Sequence, residues 1–408
     1  MEKRLVSMLG EKDHGKSTLI GQLLILTGST TEERVAEVRK ANKGKRFEPA
    51  FILDSFSEER EQEMTIETTR ADVIYKGNVF ELIDVPGHLE LIKNMISGAS
   101  NAEMAILLVS AKPGEKFQPQ TKRHIYLAKL LGVESLIVAI NKMDTVKYDR
   151  SKYEAMEREV RDYLGLIGFD RRVDYIPISA YDGENLVKRS SKMPWYRGST
   201  MIELLERTLE AEIRSHKPDG KLRILVQDSI ETDRGLGHFG VVYSGSIELS
   251  KKVRVEPSGA TATVSGLYLK GKPVKKAGRG SSIVFAVKGS AKVSRGDIVY
   301  DPDVEVKASN SFGCRVFLIK EFDTKSKDAV IKVNNIELHV ESLVPDEVVS
   351  PVTAESLEFG RVLEPNNSVV GKIRIKERYP LESFQSFKEF GRFALYSGHE
   401  FVGLGIVE

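Results

Sequence analysis

Cysteine is nearly absent from the chain: Cys314 is the only one in 408 residues. No intramolecular disulfide and no cysteine-based zinc site can form, which fits a reducing compartment. The 7 histidines are scattered, with no His-x-x-x-His pair, so a histidine-rich metal site is not expected. Long apolar runs are missing as well. The longest, Met104 to Val109, is far short of the roughly 20 residues that span a bilayer. The start, Met-Glu-Lys-Arg, lacks the apolar core and small-residue cleavage site of a secretory signal. Charge of one sign is also lacking, with 61 lysines and arginines against 59 acids and a net +2. That balance excludes a dedicated nucleic-acid coat or a polybasic membrane binder, though not a local basic face. A soluble, cytoplasmic protein with no membrane partner is expected, and its oligomeric state is not legible.

What is present is ordinary globular composition, 41% hydrophobic and 29% charged, in a chain long enough for two to four domains of about 100–200 residues. The first half alternates short apolar runs with helix-like segments. Leu5–Leu9, Val79–Val85, Met104–Ser110, Ser135–Asn141 and Asp174–Ala180 read as strands. The segments Ser17–Leu26, Gln120–Leu131, Tyr153–Leu164 and Met201–Arg214 carry helical spacing. Such alternation predicts a parallel sheet covered on both faces. A polar stretch from His216 to Gly220 then breaks the pattern. Beyond it, β-branched runs recur between Gly, Ser and Asp turns, as in KLRILVQD, FGVVYSG, KKVRVEP, SSIVFAV and GDIVYD, which suggests barrels or sandwiches. A second break falls near Asp301-Pro302-Asp303. The expected plan is an α/β domain, residues 1–216, followed by two β-barrel domains, 217–306 and 307–408.

Between the first strand and first helix lies Gly10-Glu-Lys-Asp-His-Gly15-Lys16-Ser17, which fits G-x-x-x-x-G-K-[ST]. Glycines let the loop wrap so that backbone N–H groups converge on phosphate oxygens, and the helix N-terminus adds partial positive charge. Lys16 can reach the β- and γ-phosphates, and the Ser17 hydroxyl can ligate Mg²⁺. The candidate nucleotide contacts here are Gly10, Asp13, His14, Gly15, Lys16, Ser17 and Thr18. Further on, Asp84-Val-Pro-Gly87-His88 follows a strand. Asp84 can hold Mg²⁺ through water, and the Gly87 N–H can meet the γ-phosphate. Asn141-Lys142-Met-Asp144 follows another. The Asp144 carboxylate is a pure acceptor and matches the N1–H and N2–H₂ edge of guanine, which adenine lacks. Asn141 can bond the N7/O6 side, the Lys142 stem can pack over the base, and Ser179-Ala180 can offer a backbone N–H to O6. The phosphate loop is specific in its strand-then-helix setting, and the three later segments are weak alone; the four in this order point to GTP/GDP over ATP.

These residues carry a resemblance to translational GTPases of the elongation factor 1-alpha class, over nearly the whole length. The loop GEKDHGKST, the segments Glu58–Thr69, Asp84–Ala111 and Ser179–Gly198 with its MPWY, and the tail Glu382–Leu395 are all similar to that family. The resemblance implies an α/β P-loop GTPase domain followed by two β-barrels. It also implies that Thr65 is the switch threonine that ligates Mg²⁺ and contacts the γ-phosphate, so that Ser17, Thr65 and Asp84 form the metal set. It makes His88 the histidine that orients the attacking water, with Lys16 and Thr65 beside it as catalytic candidates. The implied activity is GTP hydrolysis in translation, on the ribosome, a tRNA-like RNA or a release or rescue protein cargo. The sequence is also similar to the GTPase subunit of sulfate adenylyltransferase, with an adenylyltransferase partner. A GTP-dependent binding adaptor with little hydrolysis is a third reading.

Several positions depart from the family pattern. Lys12 stands where the family carries an apolar residue that pairs with the one at Met64, and altered hydrolysis is the expected consequence. Val241 and Tyr243 stand where aminoacyl-tRNA-binding members carry an arginine and an acid, which leaves open whether ordinary aminoacyl-tRNA binds. The last barrel, from Ser309 to Glu408, is short. Gly235-Leu-Gly237-His-Phe-Gly240 matches G-x-G-x-x-G but has strand patterns on both sides, so a β-turn is expected rather than a dinucleotide site. The stretch Lys251 to Arg279 is locally basic and suits either an RNA-facing surface or a solvated barrel wall.

Overall fold

The computed structural model describes residues 3–41, 47–53, 69–84, 104–115, 117–207, 219–232 and 235–408. Thr65, Gly87 and His88, and most of the segment Glu58–Thr69, lie outside the described residues. The chain divides into two compact units, residues 1–214 with 351–354 and residues 215–350 with 355–408.

The first unit is built on a sheet of β1 (Lys3–Gly10), β2 (Thr69–Tyr75), β3 (Asn78–Asp84), β4 (Met104–Ser110), β5 (Ser135–Asn141) and β6 (Arg172–Pro177). Its order is β2-β3-β1-β4-β5-β6. Every residue of β4 and β5 is buried, as continuous apolar strands covered on both faces must be. The helices among the described residues include α1 (Lys16–Leu26), α2 (Glu32–Ala41), α3 (Pro119–Leu130) and α4 (Arg150–Leu166), and residues 201–207 are helical as well. Helix α1 lays Leu19, Ile20, Leu23 and Leu24 into the core beside Val6, Phe80 and Leu82. Proline opens α3, where its missing N–H costs nothing. Helix α4 starts on an Asp149 cap, whose carboxylate accepts from the Ser151 N–H at 2.7 Å.

The sheet is mixed, which corrects the expected all-parallel one. β2 runs antiparallel to β3 at the edge, while β3, β1, β4, β5 and β6 are parallel neighbours. The hairpin is closed by Lys76 and Gly77, both at positive φ (47° and 81°), the geometry that matches strand twist in a two-residue turn. β1 sits between β3 and β4, so the strand order reverses there, and ligands bind outside the carboxyl ends of strands at such a point. Gly10, Asp84 and Asn141 are the last residues of β1, β3 and β5. The fold alone therefore brings three of the motifs to one rim.

The second unit contains two closed barrels of six strands among the described residues. The first uses β7 (Arg223–Thr232), β8 (Gly235–Ser244), β9 (Lys252–Glu256), β10 (Ala260–Leu269), β11 (Ser282–Gly289) and β12 (Ile298–Tyr300). The β9–β10 pairing closes the ring. The second uses β13 (Ser309–Leu318), β14 (Ala329–Val333), β15 (Ile336–Val349), β16 (Ser368–Tyr379), β17 (Arg392–Ser397) and β18 (Glu400–Val407), closed by β14–β15. Closure removes the free edges that open sheets must protect. Short as it is, the last barrel is complete. The G-x-G-x-x-G segment is not a turn, which corrects that expectation: it lies along β8. Gly240 is there because a Cβ would stand 2.6 Å from Ile224 Cγ2 and 3.0 Å from the Leu225 carbonyl.

Within this unit the barrels are tied by a buried ion pair. Arg223 Nε and Nη2 donate to Glu382 Oε1 and Oε2 at 2.8 and 2.9 Å, and Arg223 Nη1 donates to Asp219 at 2.9 Å. Tyr379 donates to the Gly296 carbonyl at 2.8 Å, and Asn335 Nδ2 to the Val226 carbonyl at 3.0 Å. Tyr243 packs on Phe390 with ring centroids 5.2 Å apart. No helix among the described residues is long and apolar enough to cross a membrane.

Candidate functional site

A cleft of about 1100 Å³ opens at the carboxyl rim of the first sheet. Gly10, Asp13, Gly15, Lys16, Ser17, Thr18, Asp84, Asn141, Lys142, Asp144 and Ala180 all line it. The structure thus gathers residues spread over most of the first 180 positions, and Ser179 and His14 stand directly behind them.

The phosphate loop runs from β1 into α1. Gly10 and Gly15 have φ of 138° and 93°, values an L side chain rarely adopts. Space excludes a side chain too. A Cβ on Gly10 would lie 2.6 Å from the Leu108 carbonyl, and one on Gly15 would lie 2.5 Å from Asn141 Nδ2. Lys16 Nζ curls back over the loop and donates to the Gly10 and Glu11 carbonyls at 3.1 and 3.0 Å. Its ammonium is therefore held over the mouth of the loop rather than dispersed in solvent. His14 is buried, and its Nδ1 lies 3.2 Å from the Leu108 carbonyl. A carbonyl only accepts, so Nδ1 carries the proton. Burial pushes the His14 pKa down, and the ring stays neutral beside the loop.

Ser17, in the first turn of α1, meets Asp84 at the end of β3. Ser17 Oγ donates to Asp84 Oδ2 at 2.9 Å. Asp84 Oδ1 is buried with no hydrogen-bond partner among the described residues, an arrangement that a neighbouring cation would relieve.

At the other end of the cleft Asn141 is a hub. Its Nδ2 donates to the His14 carbonyl at 2.8 Å, and its Oδ1 accepts from the Ala180 N–H at 2.9 Å. The phosphate loop and the segment at Ser179 are thereby fixed to one side chain. Asp144 Oδ1 accepts from the Ser179 hydroxyl at 2.7 Å. Lys142, at φ 62°, reaches Glu115, with Nζ 3.0 and 3.2 Å from the two carboxylate oxygens. Partial burial pushes the Glu115 carboxyl up, but hydrogen bonds from Ser110, Lys142 and Lys112 outweigh it and hold it down at about 2. Glu115 stays ionised and keeps the Lys142 stem across the cleft wall.

The residue types and their convergence suit a guanine nucleotide, and the comparison with known proteins decides the matter. The family model of the elongation factor Tu GTP binding domain matches residues 1–214. Elongation factor 1-alpha of Archaeoglobus fulgidus is 34% identical over 98% of this chain and 96% of its own length. The chain belongs to the elongation factor 1-alpha family of GTPases. Elongation factor 1-alpha of Aeropyrum pernix is 33% identical over 98% of this chain and 95% of its own. The solved structure of Sup35 complexed with GDP aligns over 100% of the chain and 93% of its own, at 23% identity and a TM-score of 0.43. This chain is accordingly a GTP-binding hydrolase of the translation-factor class, with the GTPase domain and two barrels of that architecture.

Some residues of the site escaped the sequence reading. Glu115, which holds the lining residue Lys142, is one, since a lone Glu 27 positions before Lys142 has no spacing signal. Glu48, Gln120, His124 and Tyr181, which border the cleft, are others. The basic stretch of the first barrel is partly neutralised. Lys251 pairs with Asp301 at 2.7 Å, Lys276 with Glu248 at 2.7 Å, and Arg254 donates to the Val304 and Val306 carbonyls at 2.6 and 2.7 Å. Lys252, Lys270, Lys272 and Lys275 are exposed.

Proposed function

We propose that the protein is a GTP-driven switch of translation, acting in the cytoplasm on the ribosome or on a tRNA-like RNA or release or rescue protein cargo. The observation that carries this is the joining of four motif segments in one cleft: Ser17 bonded to Asp84, and Asn141 bonded to both the His14 carbonyl and the Ala180 N–H. The proposed nucleotide contacts are Gly10, Asp13, His14, Gly15, Lys16, Ser17, Thr18, Asp84, Gly87, Asn141, Lys142, Asp144, Ser179 and Ala180, in a GTPase domain bounded at residue 216 and followed by barrels at 217–306 and 307–408.

The donor set also suits Mg²⁺. A hydroxyl and a carboxylate with a spare buried oxygen are the hard oxygen ligands that this ion takes alongside phosphates and water. Ser17 and Asp84 would hold it, with Thr65 as third contributor, and bound metal would neutralise charge between the terminal phosphates. The chain's own residues do the rest. Lys16 and the loop N–H groups orient the phosphates, Asp144 selects guanine, and His88 orients the attacking water. Hydrolysis is then largely positioning and charge stabilisation. Loss of the γ-phosphate would release the segments around Thr65 and Gly87.

The elongation factor relatives align over nearly the whole chain, and this supports the translation reading over that of an adenylyltransferase subunit. The test is a pull-down with the protein held on a non-hydrolysable GTP analogue, identifying RNA and protein together. Ribosomal material with ribosome-stimulated turnover is expected. An adenylyltransferase in its place overturns the role, and tight GTP binding without any turnover makes the protein an adaptor.

A further inference from the structure

Asp144 sits on a short 3-10 turn, Met143–Val146, whose flanks are unusual. Lys142, Lys147 and Tyr148 all have positive φ, at 62°, 54° and 60°. Such values are uncommon outside glycine, and three within seven residues mark a loop that its surroundings must hold in place. The near end is held through Lys142 and Glu115. The far end is held through Tyr148, and by two separate groups of that residue.

The Tyr148 hydroxyl donates to Asp182 Oδ2 at 2.6 Å and accepts from Lys192 Nζ at 3.1 Å. Lys192 is itself shared with Glu184 at 3.0 Å. The Tyr148 carbonyl accepts from the indole N–H of Trp195 at 3.0 Å, and the Tyr148 N–H donates to the Met143 carbonyl at 2.8 Å. Asp182 links back to the site, because its N–H donates to the Ser179 hydroxyl at 3.2 Å, and that hydroxyl donates to Asp144 Oδ1 at 2.7 Å. The ring is closed: Asp144, Ser179, Asp182, Tyr148, and back along the loop to Asp144. Asn185 fixes the supporting segment, donating to the Pro177 carbonyl at 2.8 Å and accepting from the Ser190 N–H at 2.8 Å. Burial first, and Asp182 next, push the Tyr148 phenol up to about 12, so it remains a donor at every working pH.

We propose that Tyr148 is a positioning residue for guanine recognition: anchored by Asp182, Lys192 and Trp195, it keeps the Asp144 carboxylate aimed at the base. The chemistry follows from the acceptor geometry. Guanine offers Asp144 two donors, N1–H and N2–H₂, and a bidentate pair demands a fixed carboxylate plane. Hypoxanthine offers N1–H alone, and a single bond tolerates a tilted acceptor better. The segment 182–195 is therefore a specificity brace, and its residues stand outside the lining of the cleft. This inference rests on the guanine-nucleotide reading of the cleft.

The experiment measures the affinity of the full chain for GDP and for inosine diphosphate, in the wild type, Tyr148→Phe, Trp195→Phe, Asp144→Ala and the double variant Tyr148→Phe/Asp144→Ala. Both aromatic variants keep a ring in the packing; Trp195→Phe loses one hydrogen bond and Tyr148→Phe the two made by its hydroxyl, a change of about three- to tenfold where those bonds matter. The expected result is a three- to tenfold weakening toward GDP in Tyr148→Phe and in Trp195→Phe, a clearly smaller one toward inosine diphosphate, and no further loss from Tyr148→Phe once Asp144 is alanine. Equal losses for both nucleotides, or a loss that persists beside Asp144→Ala, overturn the proposal, because a merely structural role gives that pattern. Unchanged GDP binding in both aromatic variants overturns it too. Failure of the wild type to bind GDP, or indifference to Asp144→Ala, overturns instead the guanine reading beneath it.

Discussion

The Ser17 hydroxyl donates to one oxygen of Asp84 at 2.9 Å, while the other oxygen is buried without a partner among the described residues. Two hard oxygen ligands, one from the start of α1 and one from the end of β3, are thus in contact before any ion arrives. Mg²⁺ should therefore tighten GDP binding, and chelation should weaken it on the order of tenfold or more, about 1.4 kcal/mol per factor of ten. Asp84→Asn should bind GDP at the chelated level with or without Mg²⁺. Titration of a fluorescent GDP in both conditions measures this, and a Mg²⁺ response that survives in Asp84→Asn removes Asp84 from the metal set.

Asn141 is buried and bonded at both ends of its amide. Asn141→Ala leaves the His14 carbonyl and the Ala180 N–H without their partner. Stranded buried polar groups cost about 1–3 kcal/mol each, so a destabilisation of about 2–3 kcal/mol is expected from the denaturant midpoint. Gly15→Ala should be at least as severe for nucleotide binding, since its φ is 93° and the new Cβ would press on the same Asn141 amide at 2.5 Å.

Those two contacts also mark where the sequence was legible. The loop from Gly10 to Ser17 and the Asn141-to-Asp144 segment combine rare residue types at fixed spacing after apolar strands, and the fold places them where strand order predicts. Strand β2 was missed because TRADVIY is half exposed at a sheet edge, where no continuous apolar run is needed. The G-x-G-x-x-G segment misled in detail, because glycines that admit a close neighbour inside a strand look like turn glycines in a sequence. The pairings of Glu115, Asp182 and Lys192 were not legible. Their roles come from pairings across 27, 34 and 44 positions, and such distances carry no periodicity.

The buried pair of Arg223 and Glu382 gives a prediction about stability. Their side chains are only 6% and 2% exposed, and both guanidinium–carboxylate bonds are short. Removing one partner strands a buried charge, at about 3–5 kcal/mol. Glu382→Leu alone should lower the midpoint of thermal unfolding strongly. The double variant Arg223→Met/Glu382→Leu should recover most of the loss, since an apolar pair of similar volume needs no compensation. A double variant as unstable as the single one shows that packing, not stranded charge, dominates there.

Glu115 gives a pH dependence with a definite sign. Its carboxyl is held at about 2, below its ordinary value of 4.5. A group lowered on folding contributes stability above its unfolded pKa, and that contribution fades as pH falls from about 4.5 toward about 2. Glu115→Gln should therefore be less stable than the wild type by about 1 kcal/mol at pH 7, the scale of a screened, partly exposed pair. The two proteins should converge near pH 2. Denaturant unfolding of both across that range reads the difference directly, and a gap that stays constant with pH assigns the effect to shape rather than charge.

Lys12 is exposed and lines the same cleft as Lys16, Ser17 and Asp84. The loop therefore brings a second cation to the place where the motif puts the terminal phosphates, at a position where the family carries an apolar side chain. A cation there favours the nucleotide with more charge. Lys12→Val should thus lower the preference for a non-hydrolysable GTP analogue over GDP by about three- to tenfold, the effect of one charge-assisted hydrogen bond. Affinity for GDP itself should change less, because GDP lacks the γ-phosphate. The rate of GTP hydrolysis, with and without ribosomes, should shift in the same variant, since charge near the γ-phosphate bears on the transition state. Competition between the two nucleotides and a single-turnover hydrolysis assay decide it. If the affinity ratio and both rates match the wild type, the Lys12 ammonium points to solvent and plays no part in the switch.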